Sequence, residues 1–214
     1  MRFSVSFSTK VLAAALSLAG FAAHAAGHHA HWNYEHSHEG PAHWAELDPA
    51  FETCAKGMTQ SPIDISKAVK ADLPALQFNY SETQPQIVNN GHTIQINLPA
   101  GQTLVVGNQT YNLLQFHFHT PSEETINGKH AAMVGHFVHK NEAGALGVVA
   151  VMMQPGKANA AFAPIFEHLP RQGETITVDG LALNLAAMLP KETGYYAFSG
   201  SLTTPPCSEG VNWM

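Results

Sequence analysis

The stretch Gln115-Phe116-His117-Phe118-His119 alternates polar and aromatic residues strictly, and it constrains the chain more than any other feature. A β-strand turns successive side chains to opposite faces. His117 and His119 therefore share one face with Gln115, while Phe116 and Phe118 occupy the other. Further along, Asn127-Gly128 is a strong hairpin signal, because a type I′ turn needs positive φ at both central residues. A two-residue turn there sets His136 directly opposite His119, with Val138 opposite His117. Opposed residues hold their Cβ atoms roughly 4.5–5.5 Å apart, and His117 is then the diagonal neighbour of His136. Three imidazoles should converge on one point from one sheet face. Pro121 cannot donate to a ladder, and a one-residue slip between Thr120 and Lys129 would turn His136 to the wrong face.

Three neutral imidazoles with a fourth position open form the donor set of a catalytic zinc site, since a structural site normally closes with a fourth protein ligand. An H-x-H on a strand is weak on its own, because half-buried structural histidines are commoner. The turn and the matched third histidine single this one out.

The rest of the chain reads as mostly β with a few short helices. Short alternating or apolar runs cover Ile63–Ile65, Gln86–Val88, Thr93–Leu98, Thr103–Val106, Asn112–His119, Ala131–His139, Leu146–Met153 and Thr175–Val178, separated by Pro, Asn-Gly and Gly-rich breaks. Helical patches are expected at Ala42–Leu47, Ala158–His168 and Leu181–Leu185. A length of 214 residues suggests one domain, two at most. Only 12% of residues are charged, about half the usual share. The net charge of −6 comes without a basic stripe, which argues against nucleic acid as a partner. The cluster His28, His29, His31, His36 and His38 could bind metal, although a solvated arm is the simpler reading.

The N-terminus reads as an export signal. Arg2 and Lys10 give a positive region, Val11–Ala23 an apolar stretch too short to span a bilayer comfortably, and Ala23-His24-Ala25 a small-x-small cleavage site. Removing residues 1–25 takes away two positive charges and no acids, leaving a net charge of −8. The remaining chain, 26–214, is expected to be soluble, with no membrane association after cleavage, in the periplasm or outside the cell. In that oxidising compartment the only two cysteines, Cys54 and Cys207, are expected to pair.

The segment Leu114–His139, LQFHFHTPSEETINGKHAAMVGHFVH, resembles the zinc-binding core of alpha-class carbonic anhydrases, in particular their bacterial, exported branch. Further matching segments follow the same order: HWNY (His31–Tyr34), GPAHW (Gly40–Trp44), QSPIDI (Gln60–Ile65), NNGH (Asn89–His92) and SGSLTTPPCSEGVNWM (Ser199–Met214). The resemblance implies a large twisted, mostly antiparallel sheet with the metal at the base of a conical cavity. It implies Zn2+ as cofactor, on His117, His119 and His136. It further implies reversible hydration of carbon dioxide to bicarbonate and a proton, by attack of zinc-bound hydroxide. His92 matches the proton shuttle, Thr203 the threonine that accepts a hydrogen bond from the hydroxide, and Glu123 the carboxylate that orients it. Val138, Val148, Leu202, Thr204 and Trp213 match the substrate wall, and Gln115 a hydrogen-bond partner of the first zinc histidine. The partner is a small molecule, CO2 or bicarbonate, and the protein a monomer or homodimer.

This sequence departs from the family close to the metal. The family usually has glutamate two residues before the third zinc histidine, where Val134 stands, and often histidine after the glutamate of PSE, where Glu124 stands. A carboxylate displaced from position 134 to Glu124 is one expectation; a solvated loop residue is the other. The chain also stops at Met214, where a strand begins and where the family continues, so a C-terminal part is expected to be missing. Two other classes compete with the enzyme. A non-catalytic relative used as a binding module typically loses zinc histidines, and all three are present. A zinc buffer using the histidine-rich arm would hold several ions rather than one.

Overall fold

The short β-rich runs pair into one ten-stranded mixed sheet. The computed structural model describes residues 30–214. The export signal expected at 1–25, along with His28 and His29, lies outside the described residues. Across the sheet run Thr175–Ile176, Gln86–Asn89, Ile94–Asn97, Gln109–His119, Met133–Asn141, Leu146–Met153, Glu209–Trp213 and Phe198–Ser201. Thr103–Val106 pairs with the N-terminal half of the Gln109–His119 strand and carries Leu76–Asn79 on its other edge. Every ladder of this sheet is antiparallel except Leu146–Met153 with Glu209–Trp213. Among the described residues no helix is long and apolar enough to cross a membrane.

The aromatic face of the central strand builds the core. Phe116 and Phe137 are register partners, both fully buried, and their rings stack at 4.8 Å. Phe118 joins them, with Ile96, Leu113, Val149, Phe162 and Ile165 packed around. Full burial of one such side chain contributes about 1.5–3 kcal/mol, so this face holds the strands and leaves the histidine face free for chemistry. The alternation that makes this possible is local. Gln115 pairs with Val138 and Leu113 with His139, so Leu114 has no partner in that ladder. This bulge turns Tyr111 and Leu113 inward with the opposite parity from Phe116 and Phe118. It falls outside the histidine half of the strand.

Two helical expectations change. Ala158–His168 contracts to a single α-turn at Ala163–Phe166. In place of a helix at Leu181–Leu185, Leu183–Asn184 pairs as a strand with Glu82–Thr83. A 3-10 turn follows at Leu185–Met188, because the Asn184 side chain accepts a hydrogen bond from Ala187 N at 3.1 Å. Such capping favours the turn exactly where periodicity alone placed a helix end.

Cys54, on the Thr53–Lys56 helix, is bonded to Cys207, so the N-terminal arm is tied to the loop that follows Thr203 and Thr204. The closed loop spans 153 residues, for which the chain-entropy treatment gives about 5 kcal/mol, with measured gains commonly 2–4 kcal/mol. Replacing both cysteines by serine should lower unfolding stability by about 2–4 kcal/mol, read from denaturant midpoints. Thiol titration of the unfolded, unreduced parent should detect no free thiol; finding two would contradict the bond.

Candidate metal centre

The Asn127-Gly128 turn forms as expected, with φ of 52° and 74°, and pairs Ile126 with Lys129 and Thr125 with His130. The main ladder does not continue that register. His136 pairs with His117, Val134 with His119 and Val138 with Gln115. The expected pairing of His136 with His119, and of Val138 with His117, is therefore corrected by two residues. The cause is the irregular segment Thr120–Glu124, where six positions separate His119 from Thr125 but only four separate His130 from Val134. The difference is even, so parity survives and all three histidines keep one face. Their ring centroids stand 4.7–5.4 Å apart, and one ligand atom from each lies within 4.8 Å of the others.

Two of the imidazoles, His117 and His136, are hydrogen-bonded through the nitrogen that the metal does not need. His117 Nδ1 lies 2.8 Å from Gln115 Oε1. His136 Nε2 lies 3.1 and 3.2 Å from the two oxygens of Glu124. His119 Nδ1 lies 3.4 Å from Glu123 Oε1. The nitrogens left over are His117 Nε2, His119 Nε2 and His136 Nδ1. Of these, His119 Nε2 is a buried polar atom with no hydrogen-bond partner, which is costly unless something binds it. Burial, and then the neighbouring histidines, push His117 and His119 down to about 3. They are therefore neutral, as metal ligands must be. Three imidazole nitrogens suit zinc, and the residues present fit it.

The histidines form the base of a funnel of about 250 Å³. Val138, Val148, Leu202 and Trp213 wall one side, with Thr203 and Thr204 beside them. That wall is itself a small core cluster, with Val148 2% and Trp213 3% exposed. His92 stands at the mouth. Burial, and then His31, lower its pKa below the usual imidazole value. Glu123 lies behind the base rather than in the funnel. Burial pushes it up to about 7, while His136 and the Thr203 hydroxyl pull it down. Its Oε2 is buried without a hydrogen-bond partner.

Several funnel residues were not singled out in the sequence. Trp32 stacks flat on His92, with centroids 3.8 Å apart and planes 5° from parallel. Tyr34 meets His119 edge-on at 6.1 Å. Gln95 is paired with His117 from the other neighbouring strand. The HWNY segment carries no periodicity, and its place over the funnel depends on Trp44 Nε1, which donates to the carbonyls of Asn33 and Glu39. His38 and His43 also bring ligand atoms close to Glu46, but at the surface.

A family model described as eukaryotic-type carbonic anhydrase matches residues 39–214. A carbonic anhydrase of Pectobacterium atrosepticum is 46% identical over 184 residues, covering 86% of this chain and 75% of the relative. One of Neisseria gonorrhoeae is 43% identical over 200 residues, covering 93% and 79%. Among solved structures, an alpha-carbonic anhydrase of Photobacterium profundum superposes with a TM-score of 0.80 at 44% identity, covering 86% of this chain and 82% of that one.

His119→Ala should abolish zinc binding, because it removes one of three ligands and leaves Glu123 facing a void. Metal content after dialysis against zinc checks this. A variant that retains one tightly bound zinc would refute the assignment.

Proposed function

The chain belongs to the alpha-class carbonic anhydrase family and is a carbonic anhydrase acting on carbon dioxide and bicarbonate, and from that premise we propose how its own residues divide the work. The observation that carries the proposal is the funnel itself: three imidazoles at the base, with one apolar wall directly beside them. When bound, zinc supplies a Lewis acid that brings the pKa of a water near 7, a value known from carbonic anhydrases themselves rather than from this geometry.

Carbon dioxide is apolar, so Val138, Val148, Leu202 and Trp213 can hold it without competing for the metal, and they exclude bulk water from its approach. Thr203 orients the attacking water. Its oxygen can accept a hydrogen bond from that water only if its own hydroxyl donates elsewhere. Glu123 is the acceptor within reach, and the pull of Thr203 on Glu123 supports this pairing. Thr204 lies on the same lip and lines the substrate's path. Each turnover releases a proton, and His92 carries it from the mouth to buffer, since imidazole titrates near neutrality. Stacking on Trp32 holds the ring at the funnel's edge.

The reading also places the protein outside the cytosol, in the periplasm or secreted. The Cys54–Cys207 bond and the basic-then-apolar N-terminal sequence support that.

Purified protein should hydrate carbon dioxide, lose the activity to a chelator and regain it with zinc. No activity in the zinc-loaded protein would overturn the proposal. His92→Ala should slow turnover in weak buffer by about 10-fold or more, with partial rescue by added imidazole. Equal rates for variant and parent at low buffer would remove His92 from the proton path.

A further inference from the structure

His136 has an unusual surrounding for a metal ligand. Val134, two residues before it on the same strand face, is fully buried and cannot accept a hydrogen bond. Whatever fixes the His136 ring must come from outside its strand. Glu124 supplies it: its Oε2 is hydrogen-bonded to Nε2 at 3.2 Å, while its Oε1, 3.1 Å away, is buried without a hydrogen-bond partner. Glu124 is 1% exposed, and it does not face the funnel. It lines a separate cavity of about 290 Å³, beside Leu76, Phe78, Ile126 and Trp213.

Burying a carboxylate in such surroundings costs several kcal/mol unless a positive charge compensates. Among the described residues no lysine or arginine pairs with Glu124, and its ion-pair partner is His136 alone. The cation that this geometry can place beyond the imidazole is the metal itself. The backbone around Glu124 is fixed for the task. Ser122 Oγ donates to the Glu124 carbonyl at 2.7 Å and accepts from Ala131 N at 2.9 Å. Thr125 Oγ1 donates to Asp64 Oδ1 at 2.7 Å. The same irregular segment that offsets the ladder by two residues therefore delivers Glu124 to His136.

We infer that Glu124 is the positioning residue for His136: its carboxylate accepts a hydrogen bond from Nε2–H, leaves Nδ1 to the metal and balances part of the charge that zinc brings. The inference rests on the reading of His117, His119 and His136 as zinc ligands. A metal-bound histidine normally donates its other N–H to such an acceptor. Here the acceptor comes from the loop after the second ligand, and adjacent residues reach different ligands: Glu123 Oε1 lies 3.4 Å from His119 Nδ1, and Glu124 stands at His136 Nε2.

The test is zinc affinity by chelator competition, with unfolding temperatures measured for apo and zinc-loaded protein, on the parent, Glu124→Ala, Glu124→Gln and His119→Ala. Glu124→Ala should weaken zinc on the order of 10–100-fold, the range seen when such acceptors are removed, carbonic anhydrases among them. Its gain in unfolding temperature on adding zinc should shrink, whatever happens to the apo protein. Glu124→Gln, which keeps the size and a neutral acceptor, should fall between Ala and parent. A role confined to packing would lower apo and loaded stability alike and leave zinc affinity unchanged. If Glu124→Ala does not fold, Glu124→Gln decides alone. Parental affinity in the folded Glu124 variants, with zinc lost in His119→Ala, overturns this inference and leaves the metal site standing. A parent that binds no zinc, or zinc retained by His119→Ala, overturns both.

Discussion

Three imidazoles can meet here because two neighbouring strands are offset by an even number of residues. Side chains on a strand alternate with a period of two, so only an even offset keeps His136 on the face of His117 and His119. The Thr120–Glu124 segment carries the offset, and the bulge at Leu114 sits on the other side of the ligand pair. Between those two irregularities lies a short regular patch. In it Phe116, Phe118 and Phe137 are locked into the core while the histidines face the funnel. The aromatic face fixes the register and the register fixes the metal ligands, so packing and chemistry depend on the same residues.

Electrostatics then decide what that patch can bind. Burial keeps His117 and His119 neutral, which makes them ligands rather than cations. Two consecutive carboxylates stand behind the base, and the charged pairs of the surface take no part. A buried carboxylate without a cation would destabilise the fold, so the apo protein holds this charge at a cost that metal binding offsets. The apolar wall completes the site by receiving a substrate that has no charge of its own. Stability and function are coupled here, because the acids behind the base are buried where the metal ligands converge.

Much of this was legible in the sequence, for a physical reason. Strict alternation and an Asn-Gly turn are local signals, and they placed Thr103–Val106 and Leu146–Met153 at their observed bounds. They also put His117, His119 and His136 on one face. The exact partner of His136 was not legible, because the irregular loop after Pro121 has no periodicity to count. Leu76–Asn79 and Phe198–Ser201 escaped notice because their pairing comes from distant segments. Trp32 over His92 was likewise invisible, since an arm without regular structure reaches its place only through tertiary contacts such as Trp44. The resemblance to carbonic anhydrases added residue roles that alternation alone could not supply. The two departures it exposed, Val134 and Glu124, are adjacent to a single ligand, His136, in the folded chain.

X-ray absorption at the zinc edge of the loaded protein tests the central claim most directly. The account predicts four-coordinate zinc with three imidazole nitrogens at about 2.0–2.1 Å and one further light atom. A shell with four imidazoles, or with only two, would contradict the convergence of His117, His119 and His136 on one open site.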